Sequence, residues 1–508
     1  MLQRIKSLTL FGLNAEEVEV EADTHFGKAA CLIVGLGDTA VQEAKERVRS
    51  AMKHSGFTFP NNRVAINLAP ADLKKHGPRF DLPIALGLLH ATGQMPLEED
   101  NDQRIFVGEL GFTGELRPIS GILPTVSNAL EMGYKEIYVP IDNLPEATLI
   151  SGIDVFGVKT LEQIHQHLIG IKKMTPAPHR KFESQNFVTA DESDMKHIKG
   201  QEQAKRALEI AAAGGHNLLM CGPPGSGKTL LAKGFATILP ALTVEEALDI
   251  TQIHSIAGLT TAKGPISLRR PFRSVHHTAS GIAIVGGGNP PKPGEISLSH
   301  RGVLFLDELP EFPQKTLEVL RQPLEDGIVT ISRASGTCTF PAQLMLIAAM
   351  NPCPCGFSGD KEKDCSCTPF NIDRYRNRIS GPLLDRIDLH LNVPRISFEK
   401  LTDVRKAESS KDIRDRVQKT RDVQRKRLAE DKITTNAEMP SSLVKKYCPL
   451  PEDAQTLLKS AVQQMNLSGR AYYRILKLSR TIADLAQREE IILSDVAEAV
   501  QYRARDLG

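Results

Sequence analysis

Gly222-Pro223-Pro224-Gly225-Ser226-Gly227-Lys228-Thr229 stands between the apolar run Leu218-Leu219-Met220 and the helical pattern Leu230 to Ile238. Its spacing, G-x-x-x-x-G-K-[ST], is that of a phosphate-binding loop. Glycines are needed there because backbone N–H groups turn inward around the phosphates, where a Cβ would obstruct the approach. The helix that follows aims its positive N-terminal end at the same place. In such a loop Lys228 reaches the β- and γ-phosphates of ATP and the Thr229 hydroxyl takes Mg²⁺. A strand before the loop and a helix after it predict a multidomain α/β chain whose core is a parallel sheet with helices.

Further along, Gly302-Val303-Leu304-Phe305-Leu306-Asp307-Glu308 is a buried-strand run ending in two carboxylates. Alone, such a pair is often a solvated strand end. Downstream of a P-loop it reads as a Walker B element, with Asp307 holding magnesium through water and Glu308 polarising the attacking water. A third apolar strand, Leu344 to Ala349, ends at Met350-Asn351. Asn351 matches the first sensor of AAA+ ATPases, a neutral polar group that orients water against the γ-phosphate.

The 508 residues suit two to four domains, and 41% hydrophobic content supplies their cores. A net charge of +2 leaves any nucleic-acid affinity to local patches. The absence of Trp and an aromatic content of only 5% argue against a surface built mainly on stacked bases. Met1 to Glu21 lacks the apolar stretch of a signal peptide, and the apolar runs are too short to span a bilayer, which points to a cytoplasmic protein without membrane contact. Of eight cysteines, Cys31, Cys221, Cys338 and Cys448 are scattered, while Cys353, Cys355, Cys365 and Cys367 form two close pairs. Four thiolates so placed can complete a tetrahedral structural Zn²⁺ site; free thiols are the alternative.

Residues 1–173 read as an α+β domain. Val18, Val20 and Ala22 alternate as a strand, Asp38 caps a helix carrying Val41, Ala44, Val48 and Met52, Val64, Ile66 and Leu68 alternate again, and Ile137 to Pro140 form a later strand. Lys75-His76-Gly77-Pro78-Arg79 and Gly114-Glu115-Leu116-Arg117-Pro118-Ile119-Ser120-Gly121-Ile122-Leu123 resemble the two landmarks of the Lon-type protease domain. That family carries a nucleophilic Ser and its partner Lys where this chain has Arg79 and Leu123. Neither the hydroxyl nor the amine of a Ser–Lys dyad is present, so the expectation is a shared fold without peptidase chemistry. Residues 174–193 read as a linker, 194–396 as the ATPase core and 397–508 as a helical lid.

Taken in order, these features resemble the magnesium-chelatase-like AAA+ family of YifB and ComM. By that resemblance, Ser380-Gly381-Pro382-Leu383-Leu384-Asp385-Arg386-Ile387-Asp388 is an arginine-finger segment, with Arg386 reaching a neighbour's site and Arg378 its nearest rival. Arg470, in Ser468-Gly469-Arg470, is the second sensor, with Arg474 the alternative. Two further elements resemble pore elements of related rings: a Gly/Pro-rich insert holding Arg269, Arg270, Arg273 and Lys292, and a hairpin around Arg333. Those five cations are then DNA-phosphate contacts, or else lie at subunit contacts and solvated faces. His276 and His277 read as structural or interfacial. The resemblance implies a homohexameric ATPase around single-stranded and branched DNA, driving branch migration and unwinding and promoting strand integration in natural transformation. The rivals are a chelatase-type motor for metal insertion and an ATP-switched scaffold or protease regulator.

Overall fold

A computed structural model describes residues 4–96, 102–180, 193–260, 266, 268–333, 336–360, 362–396 and 407–503. The N-terminal part begins with β1 (Arg4–Phe11), β2 (Asn14–His25) and β3 (Ala30–Val34), followed by α1 (Thr39–His54) and β4 (Arg63–Ala69). These strands form one sheet in the order β1-β2-β4-β3. The expected alternation holds: Val18 and Val20 of β2 and Val64, Ile66 and Leu68 of β4 are fully buried. Asp38 caps α1 by accepting from the Val41 N–H at 3.0 Å. Helix α2 (Asp81–Ala91) is buried nearly all round, as a central core helix must be. A second layer follows, with β5 (Arg104–Phe106), the short pair β6 (Glu109–Leu110) and β7 (Leu116–Arg117), α3 (Ile122–Glu131), β8 (Glu136–Pro140) and β9 (Asp154–Val158). Strands β5, β8 and β9 pair in parallel.

The two landmarks of this part meet in space. Arg79 is buried, its Nη2 donating to the Ser120 carbonyl at 3.0 Å and its Nη1 reaching Thr125 Oγ1 at 3.4 Å. Burial pulls that guanidinium down to about 10. Leu123 is fully buried on α3. Of the expected linker, residues 181–192 lie outside the described residues. The preceding stretch lies along the N-terminal part: Ala177 N–H donates to Val155 O and Arg180 N–H to Thr148 O, both at 2.9 Å.

The core sheet comprises β10 (Leu218–Cys221), β11 (Phe272–Val275), β14 (Val303–Leu306), β17 (Met345–Met350) and β18 (Leu389–Asn392), with β12 (Gly286–Gly287) pairing β13 (Lys292–Pro293) and β15 (Ile328–Arg333) pairing β16 (Gly336–Pro341) as separate hairpins. The sheet is parallel, in the order β11-β14-β17-β10-β18. Its three central strands are covered on both faces and read as continuous apolar runs, which is why 218–220, 303–306 and 345–350 were legible. Helix α4 (Glu202–Gly214) precedes β10, and α5 (Lys228–Thr237) follows the P-loop.

The lid consists of α6 (Ser410–Leu428), α7 (Ser441–Tyr447), α8 (Glu452–Gln464), α9 (Gly469–Leu485) and α10 (Leu493–Gln501). It shares one apolar core with the sheet, in which Val417, Ile475 and Leu478 pack with Leu208 and Leu218. The expected boundary at 397 falls outside the described residues. The N-terminal part also abuts the core: Gly121 N–H donates to Ser255 O at 3.1 Å, and Phe11 packs with the apolar cluster holding Cys338 and Phe340.

Candidate active site

Parallel register decides which residues meet. Cys221 of β10 pairs with Met350 of β17, and Leu306 of β14 pairs with Ala348. The residues that leave the carboxyl ends of these neighbouring strands are therefore Gly222, Asn351 and Asp307. Ligands of open α/β sheets bind at that edge.

The loop has the conformation its glycines allow. Gly225 and Gly227 take left-handed φ values of +77° and +90°, and a Cβ on either would project into open space at the cradle. At Gly222 a Cβ would sit 2.1 Å from the Val393 carbonyl oxygen, so glycine is required there by packing. The Lys228 ammonium donates to Gly222 O at 2.7 Å, Pro223 O at 3.0 Å and Asn351 Oδ1 at 3.2 Å. Burial lowers its pKa, against the opposing effect of Asp307. The Thr229 hydroxyl donates to Asp307 Oδ2 at 2.8 Å, and the Glu308 backbone N–H donates to Asp307 Oδ1 at 2.9 Å. Both oxygens of Asp307 are thus oriented from the P-loop side and from its own turn. Glu308 sits at φ +52°, an unfavourable region for a residue with a Cβ and one found at functional turns. The Ser226 hydroxyl is buried and has no hydrogen-bond partner among the described residues. A cradle of N–H groups, one buried ammonium, a hydroxyl and two carboxylates is the donor set a magnesium-triphosphate requires, and the residues fit it.

Arg386 and Arg470 sit elsewhere. Arg386 is buried, donates from Nη1 to Pro382 O at 2.8 Å and ion-pairs through Nη2 with Glu325; its Nε has no partner among the described residues. Arg470, half-exposed, donates to the other oxygen of Glu325 at 3.2 Å. Arg474 pairs instead with Asp388. All line a cavity of about 710 Å³ between core and lid, to which residues 222–229 contribute nothing. Within one chain, then, these arginines do not converge on the P-loop. Arg378 lies nearer the Walker B turn, donating to Glu311 Oε2 at 2.8 Å.

The five expected phosphate contacts divide. Lys292 on β13 and Arg333 at the end of β15 are exposed, as is Arg269. An ideal Cβ on Gly287 of β12 would lie 3.0 Å from Arg333 Nη2, so the two hairpins adjoin. Arg273 is held bidentately by Glu295 at 2.5 and 2.7 Å. Arg270 requires a correction: its side chain is 5% exposed, donating to Pro240 O and Arg301 O and pairing with Glu246 at 2.8 Å. Although burial opposes it, this pairing helps hold the Glu246 carboxyl down to about 2. Arg270 ties the approach to β11 to the helix Val244–Ile256, and its enclosed guanidinium is not an exposed DNA contact.

Sequence reasoning missed the approach of His277 to Glu308. Its Nδ1 lies 3.4 Å from Glu308 Oε2. The signal lay in its position just past β11, since β11 pairs β14 with Val275 opposite Leu306.

The four clustered cysteines do gather. All four Sγ atoms lie within 4.8 Å of one another, with Cys353–Cys355 at 3.3 Å, Cys353–Cys365 at 3.7 Å and Cys355–Cys365 at 3.5 Å. A tetrahedral ion about 2.3 Å from each sulfur needs sulfurs about 3.8 Å apart, so the cluster fits zinc with little adjustment. The loop rests on the P-loop, since a Cβ on Gly356 would lie 2.5 Å from Pro224 Cδ. Purified protein is expected to carry about one zinc per chain, and Cys365→Ser with Cys367→Ser to lose it and melt several degrees lower. Metal analysis by mass spectrometry checks this; metal-free wild type with an unchanged melting curve in the variant excludes the site.

Comparisons with known proteins agree with this geometry. Family models match in three blocks: "Subunit ChlI of Mg-chelatase" over residues 20–143, "Magnesium chelatase, subunit ChlI" over 194–401 and "Magnesium chelatase, subunit ChlI C-terminal" over 407–503. The chain is 42% identical over 507 residues to the "Competence protein ComM" of Haemophilus influenzae, covering 98% of this chain and 97% of that one. It is likewise 42% identical over 507 residues to the "Uncharacterized protein YifB" of Escherichia coli, covering 99% and 97%. A shorter match, 31% identical over 160 residues, is to the "DNA repair protein RadA" of Streptococcus pneumoniae, covering 31% of this chain and 36% of that one. No helix among the described residues is long and apolar enough to cross a membrane. A P-loop, an acidic strand end and an asparagine brought to one sheet edge, inside a chain matched nearly end to end, make this a member of the magnesium-chelatase-like AAA+ family that includes ComM and YifB.

Proposed function

We propose that this chain is an ATP-hydrolysing DNA motor that works as a homohexameric ring in the cytoplasm, promoting branch migration and unwinding of DNA and so the integration of single strands during transformation. The observation that carries the ATPase reading is the convergence of Lys228, Thr229, Asp307 and Asn351 within hydrogen-bond distance at one sheet edge. Bound there, the magnesium-nucleotide supplies the phosphoanhydride whose hydrolysis drives movement. Lys228 and the loop N–H groups hold phosphate charge; Thr229 and Asp307 hold the metal; Glu308 takes the proton of the attacking water; Asn351 orients that water. The DNA reading draws on the names of the ComM and RadA relatives and on the exposed Lys292 and Arg333. A metal-insertion motor is the second reading, favoured by the family models' chelatase description.

The test is steady-state ATPase rate with single-stranded and four-way-junction DNA at two salt concentrations. Stimulation that falls as salt rises is expected, because phosphate contacts release counterions. No stimulation at either salt rejects the DNA motor; stimulation by a porphyrin with its metal moves the assignment to insertion.

Because Arg386 and Arg470 share a cavity apart from their own P-loop, they belong in this reading to the neighbour's nucleotide. Lys228→Ala and Arg386→Ala subunits, each inactive alone, are expected to recover activity when mixed. At equal ratio about a quarter of interfaces regain both groups, and such a finger is worth roughly 10³ to 10⁵ in rate. Silence at every mixing ratio removes Arg386 from a role in trans.

A further inference from the structure

The turn between β1 and β2 reaches across to the hairpin that carries Arg333. In that hairpin Val329 pairs with Phe340, Ile331 with Cys338 and Arg333 with Gly336, so strand alternation puts all six on one face. The four apolar members of that face are buried. On the β16 side the cover comes from the N-terminal part. A Cβ on Gly12 would lie 3.1 Å from Cys338 Cβ and 3.7 Å from Phe340 Cζ, and one on Gly336 would lie 3.1 Å from Phe11 Cζ. Leu13 packs on the same cluster. On the β15 side the cover is β12, where a Cβ on Gly286 would lie 3.0 Å from Ile331 Cδ1. The tip of the Phe11 ring thus occupies the place across from Arg333 that Gly336 leaves free.

This turn is itself anchored. Leu10, next to Phe11, packs so closely on Gly121 that a Cβ there would lie 2.4 Å from Leu10 Cδ1. Gly121 N–H donates to Ser255 O at 3.1 Å, at the end of the helix Val244–Ile256. Two residues on, Leu123 N–H donates to Glu146 Oε1 at 3.1 Å, and the other oxygen of Glu146 accepts from Thr260 Oγ1 at 3.1 Å. Polar contacts therefore hold the N-terminal part on the core beside the place where its apolar turn presses on the hairpin. None of these contacts involves residues 222–229, Asp307, Glu308 or Asn351.

We propose that Phe11 is a positioning residue for Arg333: the N-terminal turn and β12 clamp the hairpin from its two strands, so that the Arg333 guanidinium is held ready for a nucleic-acid phosphate. Its Nη2 already lies by Gly287, the residue paired with Lys292, which brings the two exposed cations to one place. Holding the strand beneath a long, rotamer-rich side chain lowers the ordering cost of its phosphate contact, and the gain appears in affinity. The ligand rests on the proposed DNA motor, whereas the clamp stands on the packing itself. The N-terminal part thereby acts in DNA engagement and not in ATP chemistry.

The test uses the full chain. It reads the Kd of a fluorescent single-stranded oligonucleotide by anisotropy, hydrogen–deuterium exchange of residues 328–341, and the ATPase rate without DNA. Phe11→Ala is expected to raise Kd about three- to tenfold and to speed exchange in the hairpin, with basal kcat and KM for ATP within about twofold of wild type. Phe11→Leu, which refills most of the space, should stay near wild type. In an Arg333→Ala background Phe11→Ala should add little to Kd, because both changes remove one shared interaction. If Phe11→Ala does not fold, Gly336→Ala, whose Cβ meets the ring from the facing strand, displaces the same contact. Unchanged exchange or unchanged Kd overturns the proposal, as does a full further loss in the Arg333→Ala background or an equal loss of basal kcat. Should wild type not bind the oligonucleotide at all, the motor reading fails by itself, and exchange in 328–341 still decides whether Phe11 holds the hairpin.

Discussion

Lys228→Ala is expected to weaken ATP binding roughly 30-fold to several thousand-fold, the range for removing one partner of a buried, hydrogen-bonded charge pair. The Lys228 ammonium is largely enclosed and already donates to two loop carbonyls and to Asn351, so it is placed where phosphate charge must be met. Alanine leaves the loop's N–H groups in place but withdraws its only full positive charge, and ordered water cannot supply one. Turnover should fall below detection at ordinary ATP concentrations. Titration with a fluorescent ATP analogue checks the affinity, and a melting curve close to wild type confirms that the loss lies in the site. Unchanged affinity would strip Lys228 of its assigned role.

Glu308→Gln separates binding from chemistry. The amide has the shape of the carboxylate, and it leaves the Glu308 backbone N–H bond to Asp307 Oδ1 undisturbed. It cannot, however, accept the proton of the attacking water. General-base catalysis contributes roughly 10² to 10⁴ in rate, and kcat should fall by that factor while nucleotide affinity stays within about threefold of wild type. The positive φ at Glu308 is tolerated equally by glutamine, so backbone strain does not confuse the comparison. If the chain assembles as proposed, ATP-bound assemblies should therefore accumulate, visible by size-exclusion chromatography with ATP. Wild-type hydrolysis in this variant removes Glu308 from the mechanism.

What was legible in the sequence was what is local. The P-loop follows a four-residue buried strand, and the acidic pair and Asn351 each follow another, so apolar runs and their terminating residues gave the sheet edge without knowledge of the strand order. The α/β class and the helical lid came from the same periodicities. Long-range partners stayed hidden. Arg270 looked like one more cation in a basic stretch, and only Glu246 on a distant helix shows that its guanidinium is occupied. Arg386 and Arg470 were separate suggestions until Glu325 placed them on one carboxylate. His277 needed the register of β11 against β14, a parallel pairing across intervening structure that no spacing rule carries.

Arg79 and Leu123 carry a consequence for ancestry. If the N-terminal part descends from a peptidase, the loss has become a ratchet. Restoring a serine at 79 would withdraw a guanidinium that serves the Ser120 carbonyl and Thr125, and would leave a hole in its place. Restoring a lysine at 123 would set an ammonium into a site with no solvent exposure. Either substitution disturbs the present packing, so a Ser–Lys dyad does not fit this site by a single change. On that descent, what the chain would have inherited is a shape whose former reacting positions now serve packing.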